Sequence, residues 1–231
     1  MTTEVWGARW VIAVVAALLV AAAPPAVATP VDCAAVKCVA LTFDDGPGPH
    51  TDQLLQMLRA HDARATFFLI GDRVAADPAA ARRIADAGME IGNHTWSHPD
   101  MTTLAPQDIS TQFHRATSAI ETASGQRPTL ARTGGGHIDD EVLAEAGRQG
   151  LAVINWDVVP YDWINDAATT RDALMREVRP NAVVLLHDTL GATVDLMAEV
   201  IPRLKAQGYH LVTVSDVLDA PAPGSLYGGA P

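Results

Sequence analysis

Val39-Ala40-Leu41-Thr42-Phe43-Asp44-Asp45-Gly46-Pro47 is a short apolar run that ends directly in two carboxylates and a Gly-Pro turn. The run has the length and the β-branched and aromatic content of a buried strand. Similar runs recur at 65–69, 89–92, 151–156, 182–186 and 210–213. Between them lie longer helical patterns at 51–60, 78–87, 106–124, 139–149, 169–178 and 194–207. Several of these patterns open on Pro, Thr or Asp and several close on Gly, as helix ends do. Gly88, Gly150 and Gly208 each separate a helical pattern from the next strand, where a left-handed residue ends the helix without strain. The alternation predicts an α/β fold with a parallel sheet and crossover helices.

The polar motifs follow the apolar runs closely: Asp44 after the first, His94 after 89–92 and His187 after 182–186. In a parallel α/β barrel this carboxyl edge is where catalytic side chains converge, so residues far apart in sequence are expected to meet. In His94-Thr95-Trp96-Ser97-His98 the two imidazoles are spaced i and i+4, which brings them to one side of a helical turn or compact loop. Two neutral imidazoles and one carboxylate suit zinc and leave a fourth position for water or substrate. Cobalt, nickel or manganese could fit a similar N,O site. Asp44 and Asp45 point in different directions on an extended segment, so one can bind metal while the other faces substrate.

The 231 residues, nearly half of them apolar, have the composition of one soluble domain with a substantial core. An uncharged run from Trp10 to Ala23 follows Arg9 and leads into Pro24-Pro25 and Ala26-Val27-Ala28. This reads as a secretory signal peptide over 1–28 with an A-x-A cleavage site. The run is short for a bilayer span of about twenty residues. No stable membrane insertion is expected after cleavage, and the expected location is secreted, extracellular or cell-wall associated. A segment 29–38 follows, then a domain over 39–219 and a Pro-, Gly- and Ala-rich tail over 220–231 that is expected to be disordered.

Cys33 and Cys38 are the two cysteines, and an oxidising compartment predicts that they pair. A half metal site at this C-x4-C lacks two further nearby ligands. The net charge of -11, with no run of Lys or Arg, argues against nucleic acid as a partner and does not repel a neutral glycan. There is no G-x-S-x-G elbow and no phosphate-binding G-x-x-x-x-G-K-S/T loop, so neither a serine esterase nor a nucleotide-dependent enzyme has support. His50, His61, His114 and His210 stand outside any motif and read as helix or surface residues.

With the Thr42-Phe43-Asp44-Asp45-Gly46 and His94-Thr95-Trp96-Ser97-His98 motifs, the chain resembles the polysaccharide deacetylase family, carbohydrate esterase family 4 with its NodB homology domain, from about Val39 to Leu218. The resemblance implies a distorted, incomplete (β/α) barrel of about seven parallel strands. It implies a metal-dependent hydrolase that removes acetyl groups from an acetylated glycan partner: chitin, chitooligosaccharide or peptidoglycan, with O-deacetylation of acetylxylan as the alternative. It makes Asp44 the base and gives Asp45, His94 and His98 to the metal. Val183-Val184-Leu185-Leu186-His187 matches the family's Leu-x-His motif, which makes His187 the general acid, oriented by Asp162, with Leu185 and Trp163 walling a pocket for the acetyl methyl group.

One motif departs from the family pattern. Where Arg-x-Pro is usual, the chain has Arg132-Thr133-Gly134-Gly135-Gly136. Arg132 is retained to buttress Asp44 and the Gly135 N–H to serve the oxyanion, but three successive glycines predict a looser loop. The departure also motivates a different class of reading, a glycan-binding homologue without turnover. His137, next in the chain, reads as a solvated loop residue.

Overall fold

The chain is described from a computed structural model over residues 31–229 together with Met1 and Thr2. All but the first two residues of the expected signal peptide lie outside the described residues.

The first strand, β1 (Lys37–Gly46), is buried along almost its whole length. It is followed by α1 (Thr51–Ala60), β2 (Thr66–Leu69), α2 (Gly71–Ala76), α3 (Pro78–Asp86), β3 (Glu90–Asn93) and α4 (Pro106–Ser124). Then come β4 (Leu130–Ala131), α5 (Asp140–Arg148), β5 (Ala152–Ile154), α6 (Ala167–Glu177), β6 (Ala182–His187), α7 (Gly191–Ala206), β7 (Tyr209–Val212), α8 (Val214–Leu218) and β8 (Leu226–Tyr227). Asp77, Asp139 and Asp166 cap α3, α5 and α6 by accepting from a backbone N–H in the first turn. Gly88, Gly150 and Gly208 have φ of 76, 78 and 83°, the left-handed exits expected of them.

The strands form one parallel sheet in the order β6-β1-β2-β3-β4-β5-β8. On one edge β1 pairs with β6 through Val39–Asp44, and on the other with β7 at Lys37–Ala40 and then β2 at Thr42–Gly46. The sheet curls without full closure. Between the β5 and β6 sides the chain beyond β5 makes a parallel bridge, Val158 to Val184, with Leu185 N–H donating to the Val158 carbonyl at 3.0 Å. This is the incomplete barrel expected from the resemblance.

Side-chain alternation along β1 decides which residues reach the site. Val39, Leu41 and Phe43 belong to the outer core beneath the helices, with Leu54, Leu58, Ile84, Val200 and their neighbours. The rings of Phe43 and Phe67 lie 5.4 Å apart there, and Phe43→Ala would cost about 3–5 kcal/mol. Ala40 packs on the opposite face with Phe68, Leu130, Ile154 and Val183. Thr42 and Asp44 share that interior face and continue it to the carboxyl edge.

Cys33, just ahead of β1, is disulfide-bonded to Cys38, the second residue of that strand. Among the described residues no helix is long and apolar enough to cross a membrane. The tail expected to be disordered instead supplies β8, which pairs with β5, while Gly224 N–H donates to the Leu151 carbonyl at 2.8 Å. The reason is that an edge strand of two residues is held by main-chain hydrogen bonds to the open side of β5, and these need no apolar pattern. β4, an inner strand of only Leu130–Ala131, is too short for periodicity to reveal.

Candidate active site

Asp44 is buried at the end of β1, and its Oδ1 accepts a 2.8 Å hydrogen bond from Nη1 of Arg132. Arg132 is itself fully buried, just beyond β4. Its guanidinium also donates to Thr42 Oγ1 at 2.7 Å and to the carbonyls of Ile154 and Asn155 at 2.8 and 3.0 Å, and its Cζ lies over the Phe68 ring, 4.2 Å from the centroid. A planar, five-donor cation satisfies three elements at once where an ammonium could not. The carboxylate of Asp44 is thereby held in one orientation.

On an undistorted strand Asp45 would turn away from Asp44. Here the register with β2 shifts between Asp44 and Gly46, and Asp45 takes φ of 70°. A bulge at the strand end re-aims a side chain in this way, and both carboxylates reach the same cavity. Asp45 Oδ1 lies 3.4 Å from His94 Nε2 and 3.5 Å from His98 Nε2, and is buried with no hydrogen-bond partner. Burial alone would raise its pKa, but the adjacent imidazole of His94, with the charges of His98 and His187, brings it down to about 2.

His94 follows β3 and His98 closes a loop rather than a helical turn, with Thr95 and His98 at φ of 64 and 57°. The loop is tied from below. Buried Asn93 donates to the Phe113 carbonyl and to Thr117 Oγ1 on α4 at 2.8 and 2.9 Å, and accepts from Thr95 N–H at 2.8 Å. Gln112 Oε1 accepts from the N–H groups of Trp96 and Ser97. His94 Nδ1 is 2.7 Å from the Arg132 carbonyl, which makes it the donor and leaves Nε2 free to bind metal toward Asp45. Burial and the neighbouring His94 lower the pKa of His98, which keeps it in the neutral, ligating form. One ligand atom each from Asp45, His94 and His98 lies within 4.8 Å of the others. Three such atoms, one of them an orphaned buried oxygen, fit a divalent cation, consistent with the metal dependence implied by the resemblance.

Across the cavity His187 ends β6. Its Nδ1 is 2.9 Å from Asp162 Oδ1, its N–H donates to Asp162 Oδ2 at 2.9 Å, and Thr193 Oγ1 donates to that same oxygen at 2.9 Å. Burial works to lower the pKa of His187, but the hydrogen bond and charge of Asp162, helped by Asp44 and Asp45, raise it above 6.5. The ring of Trp163 stands edge-on to His187 at 5.3 Å. Leu185, Trp163 and Gly135 join these groups around a cavity of about 480 Å3.

The glycine loop has a packing rationale. A Cβ on Gly134 would lie 2.9 Å from the His98 ring, and one on Gly136 2.9 Å from the Trp156 ring. The short turn is closed by Gly136 N–H to the Thr133 carbonyl and His137 N–H to the Gly134 carbonyl. The expectation of a looser loop therefore gives way to one whose glycines permit close approach to a ligand histidine. His137 is half-exposed, paired with Asp100 at 3.1 Å and outside the metal cluster.

Sequence reasoning missed Thr42, Asn93, Thr193 and Asp188. Thr42 and Asn93 carried a signal, being polar residues at the inner positions or ends of apolar strands. Asp188 is fully buried behind the Asp45-Gly46 turn, where it accepts from Thr51 Oγ1. Burial and the charges of Asp45 and Asp44 push its pKa up to about 7.

A family model described as polysaccharide deacetylase matches residues 32–154. Peptidoglycan-N-acetylmuramic acid deacetylase PdaC of Bacillus subtilis (strain 168) is 40% identical over 183 residues, 78% of this chain and 38% of PdaC, so the chain spans well under half of that relative. Chitooligosaccharide deacetylase of Bradyrhizobium sp. (strain ANU 289) is 34% identical over 197 residues, 78% of this chain and 90% of the relative. A solved structure described as T48 deacetylase with substrate shares the fold with a TM-score of 0.81 at 34% identity, over 85% of this chain and 99% of that one. Sequence, fold and the convergence of Asp44, Asp45, His94, His98 and His187 on one cavity agree, and the chain belongs to the polysaccharide deacetylase family.

Proposed function

We propose that this chain is a metal-dependent hydrolase that removes acetyl groups from N-acetylglucosamine-containing glycans, chitooligosaccharide or peptidoglycan. The observation that carries the reading is the position of Asp44 and His187, register partners on β1 and β6, on a cavity that also holds the Asp45, His94 and His98 cluster. Two of the relatives bear peptidoglycan and chitooligosaccharide deacetylase names.

A divalent ion held by Asp45, His94 and His98, for which we take zinc from the donor set, would polarise the acyl carbonyl and acidify water. Asp44, fixed by Arg132, accepts the proton of the attacking water. The N–H of Gly135, which lines the cavity, would serve the developing oxyanion. His187, with Nδ1 committed to Asp162, donates its proton from Nε2 to the departing nitrogen as the C–N bond breaks. Acetate and a free amine result, with no covalent acyl-enzyme. Leu185 and Trp163 enclose the methyl group and favour a small acyl chain.

The residues over 1–28 are proposed to export the chain, a reading supported by their composition and by the Cys33–Cys38 disulfide. Amino-terminal sequencing of the protein recovered from the medium or cell wall tests it. An intact leader on a cytosolic product would contradict it.

The activity is tested by acetate release from chitotetraose, peptidoglycan and acetylxylan, before and after chelation and zinc restoration. Release from the amide substrates that falls on chelation and returns with zinc is expected. Release from acetylxylan alone would favour the ester reading. Glycan binding with no acetate from any substrate would favour the inactive homologue.

A further inference from the structure

Four of the residues with positive φ that are not glycine lie on or beside the cavity: Asp45, Thr95, His98 and Tyr161. The first three carry or shape the metal cluster. Tyr161, at φ of 56°, has no part in it. A bulky residue in the left-handed region is an outlier that persists only where its surroundings over-determine it. They do so here. The Tyr161 carbonyl accepts from Ile164 and Asn165 N–H at 3.1 and 2.9 Å, Asn165 Nδ2 donates to the Pro160 carbonyl, and the next residue, Asp162, is anchored inward on His187 and Thr193.

The strained backbone holds the Tyr161 ring at the cavity wall, about half exposed. The ring packs on Trp163 at 5.3 Å, and Trp163 in turn meets His187 at 5.3 Å, so three rings run from the proposed acid to solvent. Exposed Ile164 extends the apolar surface. Clustered exposed apolar rings, continuous with a reaction cavity, mark a ligand contact. A pyranose ring, with its apolar C–H face and polar rim, fits such a wall, whereas an anionic group would gain little from the negative ring faces. From this rim position we infer that Tyr161 is a specificity-determining residue, forming with Trp163 a stacking platform for the sugar next to the one being deacetylated, so that the preferred substrate is an oligosaccharide. The inference rests on the proposed function in taking an acetylated glycan as the ligand.

The test uses Tyr161→Asn, which tolerates the same backbone conformation but lacks the ring, and Tyr161→Phe, which keeps it. Affinity for chitotetraose is measured by tryptophan fluorescence on zinc-loaded protein in an Asp44→Asn background that blocks turnover. Kinetics on chitotetraose and on 4-nitrophenyl acetate are measured with Asp44 intact. Tyr161→Asn is expected to weaken chitotetraose binding and raise its KM by about three- to tenfold, in line with the loss of one aromatic face. It should leave kcat and ester turnover unchanged and should not lower Tm, since Asn adopts the left-handed conformation with less strain, with Tyr161→Phe behaving like the parent. Unchanged binding in Tyr161→Asn, equal losses on both substrates, or a Phe variant as impaired as Asn would overturn the inference. The binding arm separates it from the proposed function, since ring-dependent affinity without any acetate release refutes the activity and leaves the platform standing.

Discussion

Asp44 on β1 and His187 on β6 are register partners in adjacent parallel strands, and each is held by a group of opposite charge: Asp44 by Arg132 at 2.8 Å, His187 by Asp162 at 2.9 Å. The strand pairing sets the spacing between the proposed base and acid. The two clamps set what each carries, an oriented carboxylate on one side and a protonated imidazole on the other.

The Arg132 clamp predicts a large stability effect. Arg132→Met leaves Asp44 buried without its counter-charge and should cost about 3–5 kcal/mol in urea unfolding. Adding Asp44→Asn should recover part of that loss, because the uncompensated charge is removed. Additive losses in the double variant would show that the pair is not coupled.

The Asp162 clamp predicts a pH effect. Because the fold raises the pKa of His187 above 6.5, protonation favours the folded state. This stability is fully present below the unfolded value and is lost as pH rises through the folded one. The alkaline limb of kcat/KM should fall as His187 loses its proton, and in Asp162→Asn that limb should move to lower pH. A profile unaffected by Asp162→Asn would remove His187 from the acid role.

Asp188 predicts a dependence of the same sign in a lower pH window. A carboxyl raised from 3.8 to about 7 is buried more easily when neutral, so it costs nothing below its unfolded value. The cost grows as pH rises toward 7 and is constant above that. In metal-stripped protein, Asp188→Asn should therefore gain stability over the parent between pH 4 and 7, on the order of 1–3 kcal/mol. Thermal melts across that range check it, and a difference independent of pH would contradict it.

The two histidine ligands differ in burial, so their replacements should separate. Loss of either should weaken zinc binding by more than the roughly 10–100-fold typical of an outer-shell change. His94 is buried and bonded to the Arg132 carbonyl, whereas His98 is partly exposed. His94→Ala should lower Tm well below that of His98→Ala in the metal-free state. Competition with a chromophoric chelator and melting curves provide both readings.

The motifs made the site legible, because Asp44, His94 and His187 each follow an apolar run whose length and composition declare a strand, and Asp45 and His98 belong to the motifs that begin there. The supports were less visible. Thr193 and Thr117 lie on helices where only the tertiary fold turns them toward Asp162 and Asn93, and nothing local announces such a partner. The convergence of Asp44 and Asp45 on one cavity depended on a bulge and a left-handed residue, which strand alternation does not encode. β8 escaped because its hydrogen bonds are main-chain and its composition is that of a loop.

Zinc titration of stripped protein with acetate release from chitotetraose read at each step tests the central assignment most directly. Activity should rise in proportion to occupancy and saturate at one zinc per chain, and His94→Ala with His98→Ala should abolish both binding and release. Full acetate release from protein stripped of metal, or zinc retained at that stoichiometry by the double variant, would contradict the assignment of Asp45, His94 and His98 as the catalytic metal centre.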